Sequence, residues 1–99
     1  MEIKIQSIHF DATEKLQAFV EKKTAKLEKT FEDIKKVEVL LKVVKPATAQ
    51  NKEVSLTVTV PGSTLFVEKV SDTFEEATDL CVDSMRVQLQ KFKEKTRNY

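Results

Sequence analysis

Polar and apolar residues alternate along four segments of the chain, and this period of two predicts four β-strands. The segments are residues 1–10, 37–44, 53–60 and 64–70. In the third, Val54, Leu56, Val58 and Val60 are expected to face a core, and Ser55, Thr57 and Thr59 are expected to face water. The second segment adds Leu40 and Val44 to its apolar positions, which predicts partial cover on both faces or a central place in the sheet.

Two other segments carry apolar residues at spacings of three, four and seven, which predicts amphipathic helices. The first begins at DATE and the second at DTFE. In each, an aspartate followed three residues later by a glutamate predicts a capping box at Asp11 and Asp72, with Thr13 as an alternative cap. The first helix is expected to end near Phe31 and the second near Arg97. The apolar seam of the second is Phe74, Cys81, Met85, Leu89 and Phe92.

The resulting order, β-α-β-β-β-α, predicts an α+β fold with a four-stranded mixed sheet and two helices packed on one face. The first strand–helix–strand connection predicts a right-handed parallel crossover, and the short later loops predict antiparallel pairing. Leu80 and Val87 lie off the seam and are expected to pack against the first helix, which would place the two helices side by side. The length predicts one domain, residues 1–99.

Composition narrows the class of protein. Among 99 residues, 17 are basic and 16 acidic, so the net charge of +1 does not by itself point to a polyanion. A single cysteine cannot form an internal disulfide. The longest apolar stretch, VEVLLKVV, is charged and too short to span a membrane, and the alternating N-terminus is unlike a signal peptide. We expect a cytoplasmic protein that does not contact membranes.

The distribution of charge is more informative than its sum. On the first helix, basic residues share one sector of the helical wheel and acidic residues share another, while Lys23 borders the apolar face. The two sets are Lys15, Lys22, Lys26 and Lys29, and Glu14, Glu21, Glu28 and Glu32. A merely solvated helix would favour Glu–Lys pairs at i,i+4, but here like charges meet, which repel mildly. This segregation favours a binding role.

The second helix sorts its charges along its axis, with acidic residues in the first half and basic residues in the second. The helix macrodipole accounts for the two ends, but its effect fades within a turn, and Asp83 and Arg86 lie well inside. The C-terminal stretch, RVQLQKFKEKTRNY, is therefore a candidate surface for a polyanion, expected to join the basic sector of the first helix.

Catalytic chemistry finds little support in the sequence. His9 is the only histidine and is expected at a strand end, and Cys81 is expected to be buried on the seam. One cysteine and one histidine do not suggest a zinc site, and the single Gly62 excludes a glycine-rich phosphate loop. We predict a binding protein, not an enzyme, with no metal, cofactor or small-molecule substrate.

The segments VEKKTAKLEKTF and DTFEEATDLCVDSMRVQLQKFKEK, in this order and spacing, resemble the ribosome hibernation-promoting factor family, which includes ribosome-associated inhibitor A. The resemblance covers essentially the whole chain and is to the short form. It implies a fold similar to double-stranded-RNA-binding domains. It further implies binding to rRNA of the small ribosomal subunit, in the channel used by tRNA and mRNA, which keeps ribosomes inactive. The protein itself is expected to be monomeric.

The resemblance also implies which residues contact rRNA. Carried over by position, they are Lys23, Lys26, Lys29, Gln88, Lys91, Lys93 and Lys95; the charge pattern adds Lys22, Arg86 and Arg97. The chain departs from the family pattern at Ser84 and Val87, where basic residues are usual, and at Thr30 and Phe74, where tyrosine is usual. The alternative hypothesis is a protein–protein interaction module of the same fold that does not bind ribosomes.

Overall fold

The computed structural model describes residues 1–44 and 50–97, with side chains described as far as Lys95. The elements are β1 (Glu2–Ile8), α1 (Glu14–Ala25), α2 (Leu27–Thr30), β2 (Lys36–Val43), β3 (Lys52–Val60), β4 (Ser63–Ser71) and α3 (Phe74–Arg97). The predicted α+β class and element order are confirmed, except that a short break divides the first helix. Residues 45–49, in the connection after β2, lie outside the described residues.

The sheet has the order β1-β2-β3-β4. β1 and β2 pair in parallel, and the β2–β3 and β3–β4 pairs are antiparallel, as predicted. One row of partners runs from Ile5 to Val39, Leu56 and Val67, so each of the four strands contributes apolar side chains to one shared face. The double-sided β2 lies inside the sheet, where Leu40 is half-buried on the other face.

A single core lies between this face and the helices. The most deeply buried side chains come from α1, α2, the inner strands and α3. They include Val20, Leu27, Val37, Leu41, Val58, Met85 and Leu89. Rings from the loops extend this core: Phe10 stacks on Phe74 with centroids 4.7 Å apart, and Phe31 meets Phe92 edge-on at 5.5 Å. The core fixes both helices on one side of the sheet.

The cap of α1 is Thr13, the alternative of the two predicted residues. Its backbone is extended, and its Oγ1 accepts a hydrogen bond from the Leu16 N–H at 3.1 Å. The prediction that Asp11 caps this helix is therefore wrong. Asp11 lies two residues before the cap, whereas an N-cap oxygen must reach the N–H groups of the first helical turn.

The cap of α3 was also predicted one residue too early. Thr73 Oγ1 accepts from the Glu76 N–H at 3.0 Å, so Thr73 and not Asp72 supplies the hydrogen bond. The Asp72 carboxylate instead accepts from the Gln50 N–H at 2.8 Å and joins the loop before β3 to the start of α3. The sequence pattern does not show this partner, because Gln50 is distant from Asp72 along the chain.

The break between α1 and α2 follows a buried threonine. Thr24 Oγ1 donates to the Val20 carbonyl at 2.8 Å and reaches the Glu21 carbonyl at 3.2 Å. Such back-bonding competes with the helical ladder and often bends a helix. The helix re-forms for one turn after Lys26, so the predicted single helix is two consecutive pieces that end before Phe31.

The prediction that Leu80 and Val87 pack against the first helix is wrong. Both lie on the outer surface of α3, with 43% and 51% of their surfaces exposed. Asp79 of α3 does reach α1, and it lies next to Leu80 in sequence but about 100° around the helix. The helices do pack side by side, and the ion pair between Lys23 and Asp79 joins them. No helix in the described part of the chain is long and apolar enough to cross a membrane.

Candidate nucleic-acid interface

A row of lysines lies on the outer side of α1 and α2. We call Lys22, Lys26 and Lys29 the lysine ridge, because all three are exposed along the same side of the two helices. The opposite side of these helices, which includes Val20 and Leu27, is buried in the core and orients the ridge outward. Among the described residues, no carboxylate lies within ion-pair distance of any ridge lysine.

Lys23 is placed differently from its neighbours. Its Nζ lies 3.2 Å from Asp79 Oδ1 on α3 and 5.5 Å from the centre of the Phe19 ring. The side chain is half-buried and holds α1 against α3. The contact with Phe19 could be expected from the sequence, because Phe19 lies four residues before Lys23, the spacing at which helical side chains meet. The contact with Asp79 could not, because Asp79 lies on another helix.

The basic residues of α3 divide between two sides of the helix. Lys93 lines a groove together with Lys29, Thr30, Gln90 and Glu94, so the structure brings the end of the lysine ridge next to α3. Arg86 is also exposed; it lies about two helical turns before Lys93 and about 20° from it on the helical wheel. Lys93 and Arg86 therefore share the side of α3 that adjoins the ridge.

Lys91 and Lys95 lie on the other side of α3, facing the turn between β3 and β4. Residues two apart on a helix point about 200° away from each other, which separates Lys91 from Lys93. The expected single basic surface therefore wraps around the end of α3, with one part beside the ridge and one beside the turn.

Two further predicted residues are placed differently. Gln88 Nε2 donates to the Phe66 carbonyl at 3.0 Å and attaches α3 to the outer strand β4, so its amide already has an internal role. Arg97 is the last residue of α3, and its side chain lies outside the described part of the chain.

The open face of the sheet carries mixed charges, unlike the helices. Lys36 lies 3.9 Å from Glu2 and 3.7 Å from Glu38, and Ser55 donates to the Glu68 carboxylate at 3.1 Å. The Lys36 contacts offset charges of opposite sign, and the Ser55 hydroxyl satisfies one oxygen of Glu68. The open face therefore mixes acidic and basic groups, whereas the lysine ridge on the helices is a row of cations without carboxylate partners in the described part of the chain.

The two residues considered for catalysis, His9 and Cys81, differ in exposure. His9 is exposed just after β1, as predicted. Cys81 is buried, and its thiol donates to the Val54 carbonyl at 3.2 Å. Burial raises the pKa of the Cys81 thiol to about 11, which disfavours the nucleophilic thiolate at neutral pH. The described residues contain no cluster of three potential metal ligands.

Comparison with known proteins identifies the family. A family model described as sigma 54 modulation protein / S30EA ribosomal protein matches residues 3–97. The chain belongs to this family. The predicted resemblance to ribosome hibernation-promoting factors is confirmed by the relatives of this S30EA family member.

The sequence relatives match over nearly the whole chain. A ribosome hibernation promoting factor of Pseudomonas putida KT2440 is 30% identical over 98 residues, which cover 99% of this chain and 92% of that protein. A ribosome hibernation promoting factor of Azotobacter vinelandii is 30% identical over 95 residues, which cover 96% of this chain and 85% of the relative.

Solved structures agree with the fold of this S30EA family member. A ribosomal subunit interface protein from Coxiella burnetii superposes with a TM-score of 0.85 at 26% identity, and the match covers 95% of this chain and 99% of that one. The N-terminal domain of Protein Y from Thermus thermophilus superposes with a TM-score of 0.75 at 24% identity, covering 92% and 94%. The second likeness concerns the fold alone.

Proposed function

We propose that this protein is a ribosome hibernation factor that binds the small ribosomal subunit through rRNA phosphates and keeps the ribosome inactive. The coarse part of the proposal follows from membership of the family. The finer part concerns where the protein binds and with which residues. It acts in the cytoplasm as a monomeric single domain, and its mode of action is occupation of the channel for tRNA and mRNA.

The observation that carries the finer proposal is a set of exposed cations without carboxylate partners in the described part of the chain. The set comprises Lys22, Lys26, Lys29, Arg86, Lys91 and Lys95. A cation already paired within the protein must break that pair to contact a phosphate, but these need not. They can neutralise phosphates and release condensed counterions, which is the main source of sequence-independent affinity for nucleic acids.

The shape of the helical layer suits a backbone-reading mode. A-form RNA hides its base edges in a deep, narrow major groove, so proteins recognise it mainly through shape, phosphates and 2′-hydroxyls. Lysine side chains on two neighbouring helices can follow two phosphate strands, and such contacts fix the position of the protein without reading sequence. Lys93 and Arg97 extend this surface toward the end of α3, and Lys23 and Gln88 brace it from within.

The test is co-sedimentation with isolated small subunits. In the test variant, Lys26, Lys91 and Lys95 are each changed to glutamate. In the control variant, three exposed lysines outside the helices, Lys4, Lys35 and Lys69, are changed in the same way. Both variants alter the net charge by the same amount, so only the location of the charge differs.

We expect the helical variant to lose sedimentation with the subunit and the control to retain most of it. Equal binding by both variants would remove the helical layer as the interface. Loss by both would indicate attraction by net charge alone. The protein–protein alternative predicts that the helical variant still captures its partner, through exposed apolar side chains such as Val87 and Phe66.

A further inference from the structure

A groove separates the β3–β4 turn from the C-terminal half of α3. Its apolar part consists of Leu65 and Phe92, both half-buried, and its rim carries Lys91 and Lys95. The Phe92 ring is held from the other side by an edge-on contact with Phe31. The groove thus combines a fixed aromatic ring with two exposed cations one helical turn apart. We call it the turn groove.

The turn keeps one side of this groove open. Val60 pairs with Ser63 across a two-residue connection, and Gly62 has a φ of +77°, which suits glycine after proline in a type II turn. A Cβ placed on Gly62 would meet no atom within 4 Å. The backbone at the turn can therefore be approached closely by a ligand.

The chemistry of the turn groove differs from that of three other grooves on the described surface. Each of those has at least one carboxylate among its lining residues: Glu68 on the open face of the sheet, Glu94 between α2 and α3, and Glu28 beside the lysine ridge. The turn groove has two lysines and no carboxylate. It suits a ligand that is anionic at its edge and flat and apolar in its body.

A nucleotide of single-stranded RNA has this combination. Its phosphate is an anion, and an unstacked base has a flat face that stacks on aromatic side chains. A purely apolar ligand would leave the lysines unused, and an inorganic anion would leave Leu65 and Phe92 unused. An acidic peptide with an apolar side chain would match the same groups, but the proposed function already places rRNA at this end of α3, which favours RNA.

We propose that the turn groove holds one unpaired base of the rRNA, with the neighbouring phosphates on Lys91 and Lys95. This inference rests on the proposed function and adds a base-contacting site to a surface that otherwise contacts the RNA backbone. In this proposal, the side of α3 next to the lysine ridge binds phosphates, and the side next to the turn binds phosphates and one base.

The test fills the groove without changing its charge. Ser63→Trp places an indole at the mouth of the turn groove, whereas Thr64→Trp places the same group on the open face of the sheet, because neighbouring strand residues point in opposite directions. Leu65→Gln provides a second variant that makes the apolar wall polar. Each protein is bound to small subunits at saturation, and the rRNA is probed with dimethyl sulfate for bases and with hydroxyl radicals for the backbone.

We expect the wild type and Thr64→Trp to protect the same bases. Ser63→Trp and Leu65→Gln should lose protection of one or a few bases, keep the backbone protection, and bind about tenfold more weakly, the effect expected for one stacked base. Retained backbone protection also shows that the variants are folded.

Two results would overturn the inference alone: unchanged base protection in both groove variants, or a photo-crosslinker at position 63 that attaches to a ribosomal protein and not to rRNA. If the wild type itself protects no rRNA, the proposed function fails together with the groove assignment.

Discussion

The contact between Lys23 and Asp79 permits a sharp test of whether a basic residue serves the fold or the interface. Lys23 was predicted from the family resemblance to contact rRNA, yet its ammonium lies 3.2 Å from the Asp79 carboxylate and over the Phe19 ring. Its neighbour Lys22 is exposed and has no carboxylate partner among the described residues. The two neighbours therefore allow the structural role and the binding role to be tested within one helix.

The expected magnitude follows from exposure. The Lys23 side chain is 31% exposed and that of Asp79 is 49% exposed, so the ion pair belongs to the partly solvated class, worth about 0.2–1 kcal/mol. A cation over an aromatic ring at an exposed site adds about 0.5–1 kcal/mol. We expect Lys23→Met to lower the free energy of unfolding by about 1 kcal/mol. Lys22→Met should change it by less than about 0.5 kcal/mol.

The assay is urea unfolding of the two single variants, of Asp79→Asn and of the double variant Lys23→Met with Asp79→Asn. The double-mutant cycle should give a coupling of roughly 0.5 kcal/mol that falls as salt is added. Binding to small subunits should show the reverse order, because Lys22→Met removes a free cation. A coupling of zero, or equal destabilisation by both lysine variants, would refute the assigned role of Lys23.

Three further predictions concern single side chains. Thr13→Ala should destabilise the protein by about 1 kcal/mol and Asp11→Ala by much less, as measured by urea unfolding, because only Thr13 caps α1; equal losses would contradict this. The buried Thr78 hydroxyl has no hydrogen-bond partner among the described residues, so Thr78→Val should raise the thermal midpoint of unfolding. Thr24→Val should lower this midpoint, because it removes the hydrogen bond to the Val20 carbonyl. A lower midpoint in both variants would refute this contrast. The pKa of the Cys81 thiol rises from 9.0 to about 11 on folding, so the unfolded chain loses this proton at a lower pH than the folded chain does. The free energy of unfolding should therefore decline between about pH 9 and pH 11 more steeply than in Cys81→Ala, as measured by chemical unfolding at stepped pH. Parallel curves for the two proteins would contradict the raised pKa.

Much of the fold could be predicted because local pattern and tertiary structure agree along most of the chain. The alternation in β3 places Val54, Leu56 and Val58 in the core, and the doubly apolar β2 lies inside the sheet. Cys81 was expected on a buried seam, and it is buried there. In each case the burial of one face determines the structure, and periodicity reports that burial directly.

The errors arose where a distant residue decides the outcome. Asp72 resembles a helix cap in sequence, but it accepts a hydrogen bond from Gln50, 22 residues away. Leu80 is apolar and was expected between the helices, but it is exposed, and its neighbour Asp79 contacts α1 instead. A wheel drawn on one helix gives the angle between side chains and not the direction of the neighbouring helix.

The candidate site shows the same division. The lysine ridge follows from helical periodicity alone, because its three members share a side that the core orients outward. The opposite directions of Lys91 and Lys93 also follow from the wheel. The turn groove does not, since Leu65 and Phe92 meet there only through the packing of α3 against the sheet.

The central claim, that unpaired cations on the helices bind rRNA phosphates, is tested most directly by the salt dependence of small-subunit binding. The cations concerned are Lys22, Lys26, Lys29, Arg86, Lys91 and Lys95. If about six phosphates are neutralised, the logarithm of the association constant should fall with the logarithm of salt concentration with a slope of roughly 4 to 5, and Lys26→Met should reduce that slope by about 0.7–0.9. An affinity that does not change with salt, or a slope that Lys26→Met leaves unaltered, would contradict the claim.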